Sequence, residues 1–407
     1  MAGWWNALSL LIGMIIGIHL LHSRPCDPEV VLTARAPPIL SAAREDQPLD
    51  KRTTPAYTTA PQRCVVLVDR HVHKTGGTTM RDILLNNERR GEWLYWGYSL
   101  GRVTPVFDEL RRLAATGNTT HRVAVEYHHG FIAFSPNVVD QIRSLRATYH
   151  ALGVDCRIVL VTRVRDPLRF YLSYFKWAAA WRQKQDPERY GSNFSEWAPP
   201  NLQSALMLNS MDHMLAENKN IHSARRRKAF EGFDEHAMRR LQDMLLHFDI
   251  VGTTERFDET LLLTADMTGL QHLKYHVNNP TKHSKWKRGV TDEEVCPDLE
   301  ACRRHVERIA PYDVQLHAES SARFDQLVMA AGEVFQRRLA AFRAEEAVHR
   351  ADPRPSTERL GCRYWPVQPE KYNRSHHDCG HLAQKELCAL VYANRELRCP
   401  WHRVAFS

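Results

Sequence analysis

Lysine, glycine and threonine residues stand together where a short apolar segment ends. Residues 65–68 are all apolar, which predicts a short buried strand, and a helical pattern runs on to residue 87. Glycine lets a backbone approach a ligand closely, and the first N–H groups of a helix have no partner inside the helix. The segment between the predicted strand and the predicted helix therefore predicts a binding site for a phosphate or sulfate group. The residues expected to form it, through one charge, backbone N–H groups and hydroxyl groups, are Lys74, Thr75, Gly76, Gly77, Thr78 and Thr79.

The order of these residues differs from that of the common nucleotide-binding loop. That loop has the pattern G-x-x-x-x-G-K-[ST], with its lysine after the second glycine. Here Lys74 precedes both glycines. The alternative stays open that this is an ordinary glycine turn between a strand and a helix, with a lysine nearby by chance.

A second segment of the chain suits another phosphate. Residues 157–162 are mostly apolar and predict a strand. Pro167 suits the first turn of a helix and Asp166 suits its N-cap, so Arg165 is expected at the strand end. Ser173 comes about two helical turns later and shares a face with the helix start. Arg165 and Ser173 therefore predict a second anion site, although a structural ion pair between Arg165 and Asp166 would produce the same pattern.

Two adjacent histidines provide a candidate general base. His128 and His129 follow the predicted strand 122–126, so we expect them at the carboxyl edge of the sheet. The unperturbed pKa of histidine, about 6.5, suits proton abstraction near neutral pH. Either histidine fits the role, and the other is expected to be structural. Glu126 is a weaker candidate, as the base or as a group that orients a histidine.

Alternating strands and helices must position these groups. The predicted strands are 65–68, 123–125, 158–161 and 250–251, and the predicted helices are 77–87, 137–149, 167–183, 234–247 and 256–269. This alternation predicts an α/β fold with a mostly parallel sheet flanked by helices, in which ligands bind at the carboxyl ends of the strands. Residues 184–232 are polar and predict irregular structure, and residues 301–345 predict a long helix or a pair of helices.

The two ends of the chain differ in composition from its middle. We expect a cytoplasmic tail (1–3), a transmembrane signal anchor (4–21), a stem (22–62), a catalytic domain (63–345) and a cysteine-rich C-terminal extension (346–407). The anchor segment is apolar and near the lower limit of length for a membrane span. It lacks the basic n-region and the cleavage site of a secretory signal, which favours an uncleaved anchor over a cleaved signal peptide.

Nine cysteines and three Asn-x-Ser/Thr acceptor sites together favour an oxidising, luminal compartment. The extension contains Cys362, Cys379, Cys388 and Cys399, for which we expect disulfides; zinc is the alternative, because three histidines lie near them in the sequence. Cys26 in the stem is the odd cysteine and could link two chains into a homodimer.

The net charge of +8 indicates acidic partners. Nucleic acid is not expected in a lumen, so an anionic glycan is the better candidate. The basic run 225–228 could contact such a substrate, although runs of this kind are more often solvated. Basic side chains that serve only solubility are the alternative for the whole surface.

The two anion segments together resemble those of a known enzyme family. His71-Val-His-Lys-Thr-Gly-Gly-Thr-Thr79 resembles the first loop of heparan sulfate 6-O-sulfotransferases, and residues 164–173 resemble their second motif. Further similar segments follow in order at residues 248–257, 277–282 and 309–317. The resemblance covers roughly residues 63–340 and leaves out the C-terminal extension.

This resemblance implies a P-loop-like sulfotransferase fold and a metal-independent reaction. A sulfuryl group would pass from 3′-phosphoadenylyl sulfate to a hydroxyl of an anionic or neutral glycan, heparan sulfate being the family's example. Lys74 would neutralise charge on the bridging oxygen, Arg165 and Ser173 would hold the 3′-phosphate, and Lys282 would lie in a basic loop over the nucleotide. The family's base aligns with His129, or with His128 after a shift of one residue.

The resemblance also implies a single-pass type II protein of the Golgi membrane with a luminal catalytic domain. The chain departs from the family in two ways: Phe170 stands where an arginine is frequent, with Arg169 beside it, and the long insertions of the 6-O enzymes are shortened or absent. The acceptor sugar is therefore open. The alternative functions are a nucleotide-binding, kinase-like enzyme and a non-catalytic, membrane-anchored glycan-binding protein.

Overall fold

In the computed structural model of the chain, the described residues are 64–90, 93–99, 104–117, 120–127, 134–177, 190–208, 232–275 and 290–351. The predicted tail, anchor and stem lie outside them, as do the basic run 225–228 and the extension from residue 352 onward. None of the described helices is long and apolar enough to cross a bilayer.

Five parallel strands form the centre of the fold. They are β1 (Val65–Arg70), β2 (Leu94–Ser99), β3 (Arg122–Tyr127), β4 (Arg157–Val164) and β5 (Ile250–Thr253). They are arranged in the order β2-β3-β1-β4-β5, and each neighbouring pair is parallel. The predicted parallel α/β sheet is therefore confirmed. The sequence did not predict β2, an edge strand whose aromatic run is interrupted by Gly97.

Helices cover both faces of this sheet. They are α1 (Gly77–Arg89), α2 (Thr104–Ala115), α3 (Val139–Ala151), α4 (Pro167–Phe175), α5 (Tyr190–Trp197), α6 (Leu202–Leu208), α7 (Glu235–Leu245), α8 (Phe257–Thr268), α9 (Asp292–Val295), α10 (Leu299–Ile309), α11 (Pro311–Ala330) and α12 (Gly332–Ala351). On β1, Val66 and Val68 pack with α2, α3 and α4, while Val65 and Leu67 pack with α1 and α8. An unbroken apolar run is what a strand buried on both faces requires, because successive side chains point to opposite faces.

The strand order opens a crevice between β1 and β4 at the carboxyl edge. From β1 the chain crosses to β2 on one side of the sheet, whereas from β4 it continues to β5 on the other side. Such a reversal separates the two loops, and α/β proteins bind ligands in the space between them. The loop after β1 carries Lys74 and β4 ends directly before Arg165, so the fold brings the two predicted anion segments to one place.

Three predicted segments differ from the observed elements. The segment 184–232 was predicted to be irregular, and this is wrong for α5 and α6, which are short but well packed: every residue of α6 is buried. Phe194 and Trp197 anchor α5 in the same apolar cluster. The α-helical part of α4 ends at Phe175, residues 176–177 continue it as a π-helix, and the predicted residues 178–183 lie outside the described residues. The predicted helix or pair at 301–345 is three helices, α10 to α12.

Two disulfides occur among the described residues. Cys64, just before β1, is bonded to Cys156, just before β4, and Cys296 is bonded to Cys302. The first bond ties together the amino ends of the two strands that flank the crevice. His121 Nε2 lies 3.3 Å from Cys64 Sγ, and the three side chains are spaced like metal ligands. Sulfurs joined in a disulfide carry no thiolate charge for a metal. The four cysteines of the extension lie outside the described residues.

We predict that loss of the Cys64–Cys156 bond destabilises the protein more than loss of the Cys296–Cys302 bond. The bonds close loops of 92 and 6 residues, and the entropy that a cross-link removes from the unfolded chain grows with the logarithm of loop length. The expected losses are about 4–5 kcal/mol against about 2 kcal/mol. Urea unfolding of the two double Cys→Ala variants measures both values, and equal losses would contradict the prediction.

Candidate active site

The loop of residues 71–76 joins β1 to α1 in a sharp turn. Lys74 has a φ of 65° and Gly76 a φ of 81°, so both backbones lie in the left-handed region. The buried Thr75 hydroxyl donates to the Val72 carbonyl at 2.9 Å. Thr75, which the sequence suggested as an anion donor, therefore uses its hydroxyl to brace the loop from within.

Two arginines at the end of β4 hold the carbonyls of two consecutive loop residues. Arg165 Nη1 donates to the Lys74 carbonyl at 2.9 Å, and Arg163 Nε donates to the Thr75 carbonyl at 3.2 Å. In a planar trans peptide, a carbonyl and the N–H that follows it point in opposite directions. The N–H groups of Thr75 and Gly76 therefore point away from the arginines. Successive backbone N–H groups oriented in this way form concave sites for anions.

Arg163 is held in turn by a buried carboxylate. Its Nη2 atom lies 2.8 Å from Asp69 Oδ1, and both side chains are fully buried. The guanidinium also lies over the ring of Phe257, 5.9 Å from its centroid. Breaking a buried ion pair costs about 3–5 kcal/mol, because one charge is left uncompensated. The pair therefore fixes β1 against β4 directly beneath the loop.

Arg165 has a donor that no described residue uses. Its Nε atom is buried without a hydrogen-bond partner in the described part of the chain. Burial lowers the pKa of its guanidinium, and the carboxylates of Glu255 and Asp292 partly offset this effect. The Gln203 side chain fixes its backbone by accepting from the Arg165 N–H (2.7 Å) and donating to the Arg165 carbonyl (2.9 Å). A desolvated cation with a spare donor is suited to a charge-assisted bond with an anion.

The start of α4 has the capping groups that the sequence predicts. Asp166 Oδ1 accepts from the Arg169 N–H at 3.0 Å, and Pro167 occupies the first turn. Both predictions are confirmed. The ion pair that Asp166 makes is with Arg303, at 3.2 Å, and this contact leaves Arg165 to the loop. Ser173 lies half-buried in the second turn of the same helix.

Behind the loop lies a buried network around Glu126, near the end of β3. His71 Nδ1 lies 2.5 Å from Glu126 Oε1, Arg81 Nε lies 2.9 Å from Oε2, and the Tyr95 hydroxyl donates to the same carboxylate. Burial alone would raise the pKa of Glu126, but the charge and hydrogen bonds of Arg81, with the hydrogen bond of His71, hold it well below its usual range. Glu126 is therefore a poor base. Its carboxylate orients His71, a histidine that the sequence did not suggest for this role, while His128 and His129 lie outside the described residues.

The His71 ring explains why glycine stands at position 77. A Cβ atom added to Gly77 would lie 1.9 Å from His71 Cδ2, well inside contact distance. Burial, together with the charge of Arg81, lowers the pKa of His71 below its usual value although the Glu126 carboxylate raises it, so the imidazole is neutral near pH 7. Since the ionised carboxylate can only accept, Nδ1 carries the proton and Nε2 carries the lone pair.

The structure brings some of the predicted site residues together, and others are not described. Lys74, Thr75 and Gly76 form the loop that Arg165 contacts. The residues Gly77, Thr78 and Thr79 make the first turn of α1, and the residues His128, His129 and Lys282 lie outside the described part of the chain.

Sequence reasoning missed four side chains that shape the loop, namely Asp69, His71, Arg81 and Arg163. The available signal was charge: Asp69 and Arg163 each continue a strand beyond its apolar run, and both are fully buried. Opposite charges at the ends of neighbouring strands predict an ion pair across them. No family model matches the chain, and no curated protein matches it significantly.

We predict that Gly77→Ala and His71→Ala are coupled. Gly77→Ala forces its new methyl group into the imidazole and is expected to destabilise the protein by about 1–3 kcal/mol. His71→Ala removes the obstacle, so the double variant should be more stable than the sum of the single losses by about 0.5–3 kcal/mol. Urea unfolding of the full cycle measures this coupling energy.

The matched control pairs Gly77→Ala with Tyr149→Phe. Tyr149 is a buried residue whose hydroxyl lies 2.9 Å from His121 Nε2, away from the loop. The two changes should be additive. A coupling energy of zero between positions 71 and 77 would show that the ring does not fill the space of the missing Cβ.

Proposed function

We propose that the protein transfers a sulfuryl group from 3′-phosphoadenylyl sulfate to a hydroxyl group of a glycan. The observation that carries the proposal is the pair of hydrogen bonds from Arg163 and Arg165 to the carbonyls of the Lys74 loop. These bonds orient the loop N–H groups for one anion, and they leave the guanidinium of Arg165 beside the loop for a second anion. A donor with a 5′-phosphosulfate and a 3′-phosphate carries two such groups on one nucleotide.

Different residues would bind different parts of the sulfuryl donor. Lys74 and the loop N–H groups would hold the phosphosulfate, and Arg165, with Ser173 on α4, would hold the 3′-phosphate. When bound, the donor supplies an activated sulfuryl group. The acceptor oxygen forms a bond to sulfur as the bond from sulfur to the phosphate oxygen breaks, and Lys74 stabilises the negative charge that develops on that oxygen.

The acceptor proton goes to a histidine after β3. Glu126 is paired with Arg81 and keeps its carboxylate charge, which leaves His129 or His128 as the base in this proposal. The parallel sheet with order β2-β3-β1-β4-β5 supports the finer proposal of a sulfotransferase fold. We further propose a Golgi type II protein with a luminal catalytic domain that acts on an anionic or neutral polysaccharide.

The kinase-like alternative has less support from the described contacts. A kinase requires carboxylates that hold magnesium beside the phosphates. Two buried carboxylates at this edge are already paired, Asp69 with Arg163 and Glu126 with Arg81. A non-catalytic glycan-binding protein would have no need for buried charges that orient loop N–H groups toward a nucleotide.

We predict that Arg165 gives the protein its selectivity for a 3′-phosphate. Calorimetry on the full-length protein in detergent should show tighter binding of 3′-phosphoadenosine 5′-phosphate than of adenosine 5′-phosphate. Arg165→Ala should reduce this ratio by about 10-fold to 100-fold, because it removes a charge-assisted hydrogen bond. The control is Arg169→Ala, four residues away, whose side chain is half-exposed and paired with Asp292.

The proposal fails if the wild-type protein does not bind the 3′-phosphonucleotide. If Arg169→Ala alone lowers the ratio, Arg169 takes the place of the arginine that is frequent at position 170 in the family that the chain resembles.

We predict that Lys74→Ala and His129→Ala each remove most transfer activity while the unfolding midpoint changes little. Loss of one base should lower the rate by about 10²–10⁴-fold. The assay follows labelled donor with a panel of desulfated polysaccharides, and mapping the product identifies the modified hydroxyl. Full activity in His129→Ala, with loss in His128→Ala, would move the role to His128. Transfer should continue with chelator present, whereas a kinase would stop.

A further inference from the structure

Glu126 connects four elements through side-chain hydrogen bonds. Its carboxylate is fully buried. It accepts from His71 in the loop after β1, from Arg81 on α1, and from Tyr95 on β2. The shortest distances that Arg81 and His71 make to Oε1 are both 2.5 Å. An ionised carboxylate only accepts hydrogen bonds, so all three side chains donate to Glu126 and together form one rigid network.

One side of this network controls the shape of the 71–76 loop. The His71 ring occupies the space of a Cβ at Gly77, the first residue of α1. Arg81 lies one turn further along the same helix. The carboxylate thus sets the position of the ring beside Gly77 and the position of the helix whose first N–H groups would face the proposed anion.

The other side of the network is the end of β3. Glu126 is the penultimate residue of this strand. The His71 backbone N–H also donates to the Tyr127 carbonyl at 2.9 Å, so the start of the loop and the end of β3 are joined a second time. A shift in Glu126 therefore moves the loop and the end of β3 together.

We propose that Glu126 is a positioning residue that couples the anion loop to the end of β3. This inference rests on the proposed function for the identity of the anion. It predicts that a change remote from the loop, on the edge strand β2, alters the loop through the carboxylate. In this arrangement Glu126 neither contacts the sulfuryl donor nor accepts the proton of the acceptor hydroxyl.

The test uses Tyr95→Phe, which removes one donor to Glu126 and keeps the ring. Its matched control is Tyr149→Phe, which also removes one buried tyrosine hydroxyl, 2.9 Å from His121 Nε2. Hydrogen exchange of the full-length protein without nucleotide should be faster in residues 71–80 and 120–127 of Tyr95→Phe. Tyr149→Phe should leave residues 71–80 unchanged. We also expect Tyr95→Phe to weaken binding of 3′-phosphoadenosine 5′-phosphate by about tenfold, within the usual range of coupling between sites.

A second pair of variants separates positioning from folding. His71→Leu removes the donor to Glu126, whereas His71→Asn keeps an N–H close to the position of Nδ1. If Glu126 acts through this bond, His71→Asn should recover much of the nucleotide affinity and of kcat that His71→Leu loses, at similar unfolding midpoints. Equal losses in the two variants would overturn the inference.

The remaining outcomes also distinguish the two proposals. If exchange in residues 71–80 is the same in Tyr95→Phe and Tyr149→Phe, the coupling does not exist, whatever the protein binds. If exchange rises in Tyr95→Phe but the wild-type protein binds no 3′-phosphonucleotide, the coupling stands and the proposed function falls.

Discussion

Charge burial at the carboxyl edge of the sheet is the constraint on which the site depends. Asp69 and Glu126 stand near the ends of adjacent strands and are both fully buried. Burying either carboxylate without a nearby cation would cost a large amount of free energy. The cations that pair with them are Arg163 on β4 and Arg81 on α1. Because each arginine has several donors in a fixed plane, it can neutralise a carboxylate and hold another group as well. Arg163 uses this capacity on the Thr75 carbonyl.

The rest of the fold serves to keep these charges in register. Five parallel strands with covered faces align the ends of β1, β3 and β4 at one edge. The Cys64–Cys156 bond fixes the opposite end of the two strands beside the crevice. Backbone groups that would otherwise be free to rotate in the loop are tied to side chains of a rigid sheet, which is how loops become precise enough for chemistry.

Much of this architecture could be predicted from the sequence, and the gaps have physical causes. The apolar runs predicted β1, β3, β4 and β5, and Asp166 and Pro167 predicted the start of α4, because these signals are local. The prediction ended these strands too early, at charged residues such as Asp69 and Arg163. The burial of such residues depends on partners that are distant in the chain, so local sequence does not reveal it. The same reason hid the role of His71, whose carboxylate partner comes 55 residues later.

The backbone of Lys74 is held in a strained conformation by a contact with the end of β4. A lysine backbone in the left-handed region, here with φ of 65°, is strained by about 1–2 kcal/mol relative to its ordinary conformations. The hydrogen bond from Arg165 to the Lys74 carbonyl holds it there before any ligand arrives. The loop is thus ordered when the chain folds, and the anion that we propose for it would meet a site that is already shaped. Preorganisation of this kind favours fast capture and a rigid complex over adaptation to differently shaped ligands.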